Sequence, residues 1–230
     1  MHCCAPKVQL VGTVCPPNQK KAIMKFYMTP GSCSTGIHIL LEELELLFEV
    51  YIVNLPAGDQ YKPEYVAINP KSTIPTLVRD DGKALTEFQA IAYWLARSYP
   101  KAQLLPGDPE GDALVMETMD YVVGTLHMQG FTRIFTTDNY VFDQADAVRV
   151  KAQGEVIVKK GLAILDKVIA EKAYVAGSFS IADAALFYVE FWADKLKMKL
   201  PDNCRAHYER MLSRPAVRRV LQEEGYTLPS

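Results

Sequence analysis

The chain changes character once, close to residue 100, and that change limits what it can fold into. Over residues 24–98, short aromatic or β-branched runs alternate with helical spacing. Beyond residue 109 the strand signals vanish and helical spacing alone remains. The stretch between, residues 98–109, carries three prolines with glycine and aspartate, which is linker composition. A chain patterned in this way must build a small sheet first and a helical body second.

Within the first part, Lys25, Phe26, Tyr27 and Met28 form a short apolar run, and Thr29-Pro30-Gly31-Ser32 is turn chemistry. Ile37, Leu40, Leu41, Leu44 and Leu47 recur at three and four, one face of a helix, and residues 48–53 alternate as a strand. Two parallel strands around a helix make a right-handed βαβ unit. Asp81-Gly82 between residues 76–79 and 83–86 predicts a hairpin, and residues 87–97 an amphipathic helix that Thr86 caps, with Glu87 in its first turn. This order, βαβ then ββα, specifies an α/β domain of the thioredoxin kind. Helices are predicted over 110–135, 143–173, 181–198, 203–212 and 215–224. The expected organisation is an extension at 1–23 outside the fold, a thioredoxin-like domain at 24–98, a linker at 99–109 and an all-helical domain at 110–230.

With 230 residues and a formal net charge of −2, the chain has no basic field to draw nucleic acid or an anionic membrane. No apolar run approaches the roughly 20 residues that span a bilayer. Five cysteines, Cys3, Cys4, Cys15, Cys33 and Cys204, are too few and too scattered for a secreted disulfide framework. His2, Cys3, Cys4 and Cys15 lack the C-x-x-C pairing of zinc sites, so no metal is expected, and the leader reads as free thiols. A cytoplasmic location follows as the default.

Cys33 is where chemistry is expected. It follows a strand and a Pro-Gly turn and opens a helix, where unpaired N–H groups and the helix dipole favour thiolate. Polar Ser32, Ser34 and Thr35 around it argue for exposure, so it should be the fast-reacting cysteine. Gly36 stands where a dithiol oxidoreductase carries its second cysteine, so a lone thiol must take its partner from a small molecule, such as glutathione. Pro75 precedes a strand and leaves Ile74 free to offer its backbone to an outside peptide. Ser180-Ile181-Ala182-Asp183 reads as a structural capping box ahead of a buried helix.

Four segments in order, MKFYMTPGSCSTGIHI, INPKSTIPTL, LTEFQAIAYWLA and FSIADAALF, resemble the glutathione S-transferase family, and most of all its bacterial beta class. The resemblance runs from Met24 to the C-terminus. It implies a thioredoxin-like domain followed by an all-α domain, with glutathione as co-substrate. It implies that Cys33 meets the glutathione sulfur, that Ile74 ahead of a cis Pro75 pairs with the cysteinyl part, and that Glu87 receives the γ-glutamyl amine. The segment TLHMQGF resembles the helix whose histidine, here His127, reaches towards the cysteine. Phe88 departs from the family's small residue after the acidic position and puts one γ-glutamyl contact in doubt; Met128 stands where a lysine often follows the histidine. A homodimer and a small hydrophobic electrophile are implied partners, with Tyr121, Met128, Phe131 and Phe135 as candidates for the electrophile's pocket. The competing functions are a glutathione-dependent thiol-disulfide oxidoreductase and a transferase-like binding module without turnover.

Overall fold

The structure is a computed structural model that describes residues 23–227. The expectations placed on His2, Cys3, Cys4, Cys15 and the rest of residues 1–22 lie outside the described residues. β1 (Met24–Met28) buries Met24, Phe26 and Met28 on one face by strand alternation. It leads through the Thr29–Cys33 turn into α1 (Ser34–Glu43), then β2 (Phe48–Ile52), which lies parallel to β1. A short α2 (Pro63–Val66) precedes β3 (Thr76–Val78) and β4 (Ala84–Thr86), and α3 (Phe88–Ser98) closes the βαβ–ββα succession. The mixed sheet has the order β2-β1-β3-β4, with Phe26 opposite both Val50 and Leu77. The fold is the thioredoxin-like α/β arrangement followed by helices that the sequence implied.

Local differences have local causes. α1 stops at Glu43 because Glu45 turns left-handed (φ 50°), so Leu47 falls off the buried face and stays exposed. β2 is an edge strand, with Val50, Tyr51 and Ile52 all exposed. Thr86 belongs to β4 and does not cap α3; Glu87 takes the N-cap place with φ 73° and without a capping side-chain bond.

The helical part begins with α4 (Pro109–Tyr121), whose N-cap Asp108 accepts from the Gly111 N–H at 2.9 Å. The single helix expected over 110–135 widens midway. Val122–Phe131 runs as a π-helix before α5 (Thr132–Phe135) restores the ordinary pitch. α6 (Ala147–Val168), α8 (Asp202–Ser213) and α9 (Pro215–Glu223) follow, with α8 contacting both of the others, and α7 (Ile181–Lys195), buried from Ile181 to Ala193, packs against α1, α4, α8 and the π segment. A helix buried all round needs its polar groups paired. Ser180 donates its backbone N–H and its hydroxyl to Asp183 Oδ2 at 2.8 and 2.7 Å, completing the expected capping box. Asp183 Oδ1 takes the Val175 N–H at 2.8 Å, and His207 bridges Asp183 and Glu190.

Candidate active site

A cavity of about 900 Å³ opens between the β1–α1 turn and the helical part. Its first wall is the turn at Thr29–Cys33, the loop Ser72–Pro75 and the start of α3 at Glu87 and Phe88. Its second wall is His127 and Met128 of the π segment, Phe135, Trp192 of α7, and Tyr226. The turn is held from three sides. Gly31 takes φ 71°, and a Cβ there would meet the Tyr226 hydroxyl at 1.9 Å. The Trp192 indole N–H donates to the Gly31 carbonyl at 2.7 Å, and the Gly31 N–H donates to Glu224 Oε2 at 2.7 Å.

Cys33 occupies the N-cap of α1 and lines the cavity, but its side chain is only 7% exposed. That overturns the expectation of an exposed, acidic thiol. The polar neighbours spend their groups inside the protein: the Ser34 hydroxyl donates to the Thr29 carbonyl at 3.1 Å and the Thr35 hydroxyl to Glu224 Oε2 at 2.7 Å. Cys33 Sγ itself faces the Ile74 carbonyl at 3.8 Å. Burial pushes the thiol up to about 12, against the backbone N–H groups of Cys33 and Ser34, and the Glu87 charge adds to the rise. The ligand-free cysteine is a protonated donor at neutral pH.

The Ile74–Pro75 bond is cis, and Ile74 lines the cavity with its carbonyl 3.8 Å from the Cys33 sulfur. Glu87 is half exposed, and its Oε1 takes the Lys71 ammonium at 2.7 Å, while the same ammonium donates to Thr86 Oγ1 at 2.9 Å. Lys71 thus sits on the carboxylate expected to receive a ligand's amine. Phe88 is 4% exposed and packs edge-on against Tyr188 at 5.3 Å.

Phe88 has room only because residue 36 is glycine. A Cβ on Gly36 would come within 2.8 Å of the Phe88 ring and 2.7 Å of the Ala184 carbonyl. Gly36→Ala is therefore expected to cost about 1–3 kcal/mol by overpacking. Thermal denaturation reads this as a drop of roughly 2–4 °C per kcal/mol for a chain of this size. Phe88→Ala should cost less in the Gly36→Ala background than in the parent, because the two sites are in contact. A melting temperature unchanged by Gly36→Ala contradicts this packing.

His127 does share the cavity with Cys33, yet as a neutral ring. Its Nδ1 pairs with the Tyr188 hydroxyl at 3.4 Å, its ring lies edge-on to Trp192 at 4.8 Å, and burial pulls it down to about 4. Of the residues proposed for an electrophile, Met128 and Phe135 line the cavity. Phe131 is fully buried beneath Phe135 and Trp192, and Tyr121 is not in the lining. Trp192, Tyr226 and Lys195 were missed. Trp192 and Lys195 hide in an apolar helix pattern, and Tyr226 lies far along the chain after Gly225; no short motif marks any of them.

Known proteins match this arrangement across the chain. The glutathione S-transferase N-terminal domain matches residues 31–98, and the glutathione S-transferase C-terminal domain matches residues 144–210. Glutathione S-transferase GstA of Escherichia coli O157:H7 is 35% identical over 211 residues, covering 88% of this chain and 99% of that protein. A glutathione transferase homolog from Sulfitobacter, solved with bound glutathione, superposes with TM-score 0.82 at 29% identity, covering 88% of this chain and 98% of its own. The beta class glutathione S-transferase of Sphingomonas chungbukensis superposes with TM-score 0.77 at 29% identity, covering 88% and 100% of the two chains.

Proposed function

This chain belongs to the glutathione S-transferase family, and from that premise we propose how its own residues carry the reaction. It is a glutathione transferase with glutathione as co-substrate. Glutathione lies extended along the first wall of the cavity. The Ile74 backbone pairs with its cysteinyl unit, Glu87 holds the γ-glutamyl amine, and its sulfur comes to rest beside Cys33. A small hydrophobic electrophile approaches from the second wall, over Met128, Phe135 and Trp192.

One observation carries this reading: Cys33, Ile74 and Glu87 lie on one side of a single cavity whose other side is largely aromatic and apolar. The protonation states then choose the chemistry. A thiol raised to about 12 in the same cavity as a histidine lowered to about 4 makes no thiolate–imidazolium pair at pH 7. Cys33 instead donates its S–H to the glutathione sulfur and stabilises that sulfur as thiolate, the attacking nucleophile. His127, neutral and tied to Tyr188, shapes the pocket and supplies no charge.

The test is calorimetry with glutathione, followed by paired assays on the same preparation with an aromatic electrophile and a glutathione mixed disulfide. Conjugation is expected to exceed thiol exchange. Exchange far above conjugation supports the oxidoreductase reading instead, and absence of glutathione binding removes both.

The working form is proposed as a homodimer in the cytoplasm. Among the described residues both cysteines, Cys33 and Cys204, are free thiols, which suits a reducing compartment, and no helix is long and apolar enough to cross a membrane. Sedimentation at micromolar concentration should give twice the chain mass; a monomer alone contradicts the dimer.

A further inference from the structure

Behind α1, on the side away from the cavity, His38 is nearly fully buried, with its side chain 3% exposed. Its Nδ1 lies 3.0 Å from Glu224 Oε1, and Glu224 is itself buried and fixed through Oε2 by the Gly31 N–H and the Thr35 hydroxyl. A carboxylate only accepts, so Nδ1 is the donor in this contact and Nε2 is the ring nitrogen left to meet another group. Nε2 has no hydrogen-bond partner although it is buried. What it faces is carboxylate: Glu223 Oε2 stands 3.3 Å away, at an angle that closes no hydrogen bond. Glu42, one helical turn after His38 on α1, brings a third atom, and one ligand atom from each of the three residues lies within 4.8 Å of the others.

We propose that His38, Glu42 and Glu223 form a binding site for a divalent transition cation, with zinc the best match, joining α1 to the end of α9. An imidazole nitrogen with two carboxylate oxygens suits zinc better than magnesium or calcium, which take oxygen ligands. Zinc bonds of ~2.1 Å at tetrahedral angles set ligand atoms roughly 3.4 Å apart, close to the His38–Glu223 separation. Glu223 is half exposed and free to move the rest of the way, and water completes the fourth position. Glu224 is the outer carboxylate that orients the histidine. The competing cation is Arg219, whose Nη1 holds Glu42 Oε2 at 2.7 Å. It leaves Oε1 of Glu42 for a metal and weakens the site.

The experiment uses the full chain, stripped with chelator and titrated with zinc chloride by calorimetry, next to Glu223→Gln prepared in the same way. Cys3, Cys4 and Cys15 can also take zinc, so the reading is the difference between the two proteins. The parent should bind one more equivalent than the variant, or bind it at least about tenfold more tightly. Its melting temperature should rise with zinc by more than that of Glu223→Gln. Arg219→Ala should tighten the zinc site. Equal zinc binding and equal thermal shifts in parent and Glu223→Gln overturn the site. Unchanged or weaker binding in Arg219→Ala overturns the inclusion of Glu42.

Discussion

Ligand-free protein treated with iodoacetamide at pH 7 is expected to modify Cys33 roughly fiftyfold or more slowly than a free cysteine thiol. A thiol raised from 9.0 to about 12 is deprotonated about a thousandfold less often at neutral pH. A more basic thiolate attacks faster, but a Brønsted slope of roughly 0.4–0.5 returns only about twentyfold of that loss. Burial of the sulfur slows it further. The rate should keep climbing tenfold per pH unit beyond pH 10, where an ordinary thiol has levelled off, and bound glutathione should protect the residue. Fast labelling at pH 7 that peptide mapping assigns to Cys33 contradicts the donor role. Substitution separates donor from nucleophile. Cys33→Ala removes a charge-assisted hydrogen bond worth about 1.5–3 kcal/mol, so kcat/KM for conjugation should fall about 10- to 150-fold. Cys33→Ser keeps an O–H donor and should retain most of the conjugation. Neither variant can form the mixed disulfide in which a Cys33 thiolate displaces glutathione thiolate from oxidised glutathione. If Cys33→Ser loses conjugation as fully as Cys33→Ala, the hydrogen-bond role is wrong.

The sequence was informative where the cause of structure is local. Alternation in β1, the Asp81-Gly82 hairpin and the Ser180–Asp183 capping box all stand as read, because each depends on residues within one turn or one strand. The cavity's first wall was legible for the same reason: Cys33, Ile74, Pro75, Glu87 and Phe88 lie in short segments with their own turn chemistry. The environment of those residues was not. Ser34 and Thr35 look solvated in the sequence, and only Glu224, about 190 positions later, shows that Thr35 is paired inside the protein. The same distance hides Tyr226 over Gly31. The widened π segment carries the apolar spacing of an ordinary helix, so periodicity could not show that His127 turns towards Tyr188 and Trp192. A thiol's acidity is set by such surroundings, which is why the location of Cys33 was readable and its protonation was not.

The other large effect falls on glutathione affinity, through Glu87. Glu87→Gln removes the charge that would meet the γ-glutamyl ammonium while keeping the shape of the side chain. A hydrogen bond to a charged group is worth about 1.5–3 kcal/mol, so the dissociation constant should rise about 10- to 150-fold in calorimetry. The free carboxylate is already engaged, however, by Lys71 at 2.7 Å. Both side chains of that pair are about half exposed, and pairs of this kind contribute about 0–1 kcal/mol. Displacing Lys71 therefore costs the ligand little, and Lys71→Met should tighten glutathione by at most about fivefold. In the Glu87→Gln background the same Lys71→Met change should do nothing, since its only effect is to free the carboxylate. Added salt should narrow the gap between the parent and Lys71→Met, because the pair is screened. Weaker binding by Lys71→Met in both backgrounds makes Lys71 a ligand contact in its own right. Equal dissociation constants for the parent and Glu87→Gln remove Glu87 from the glutathione site.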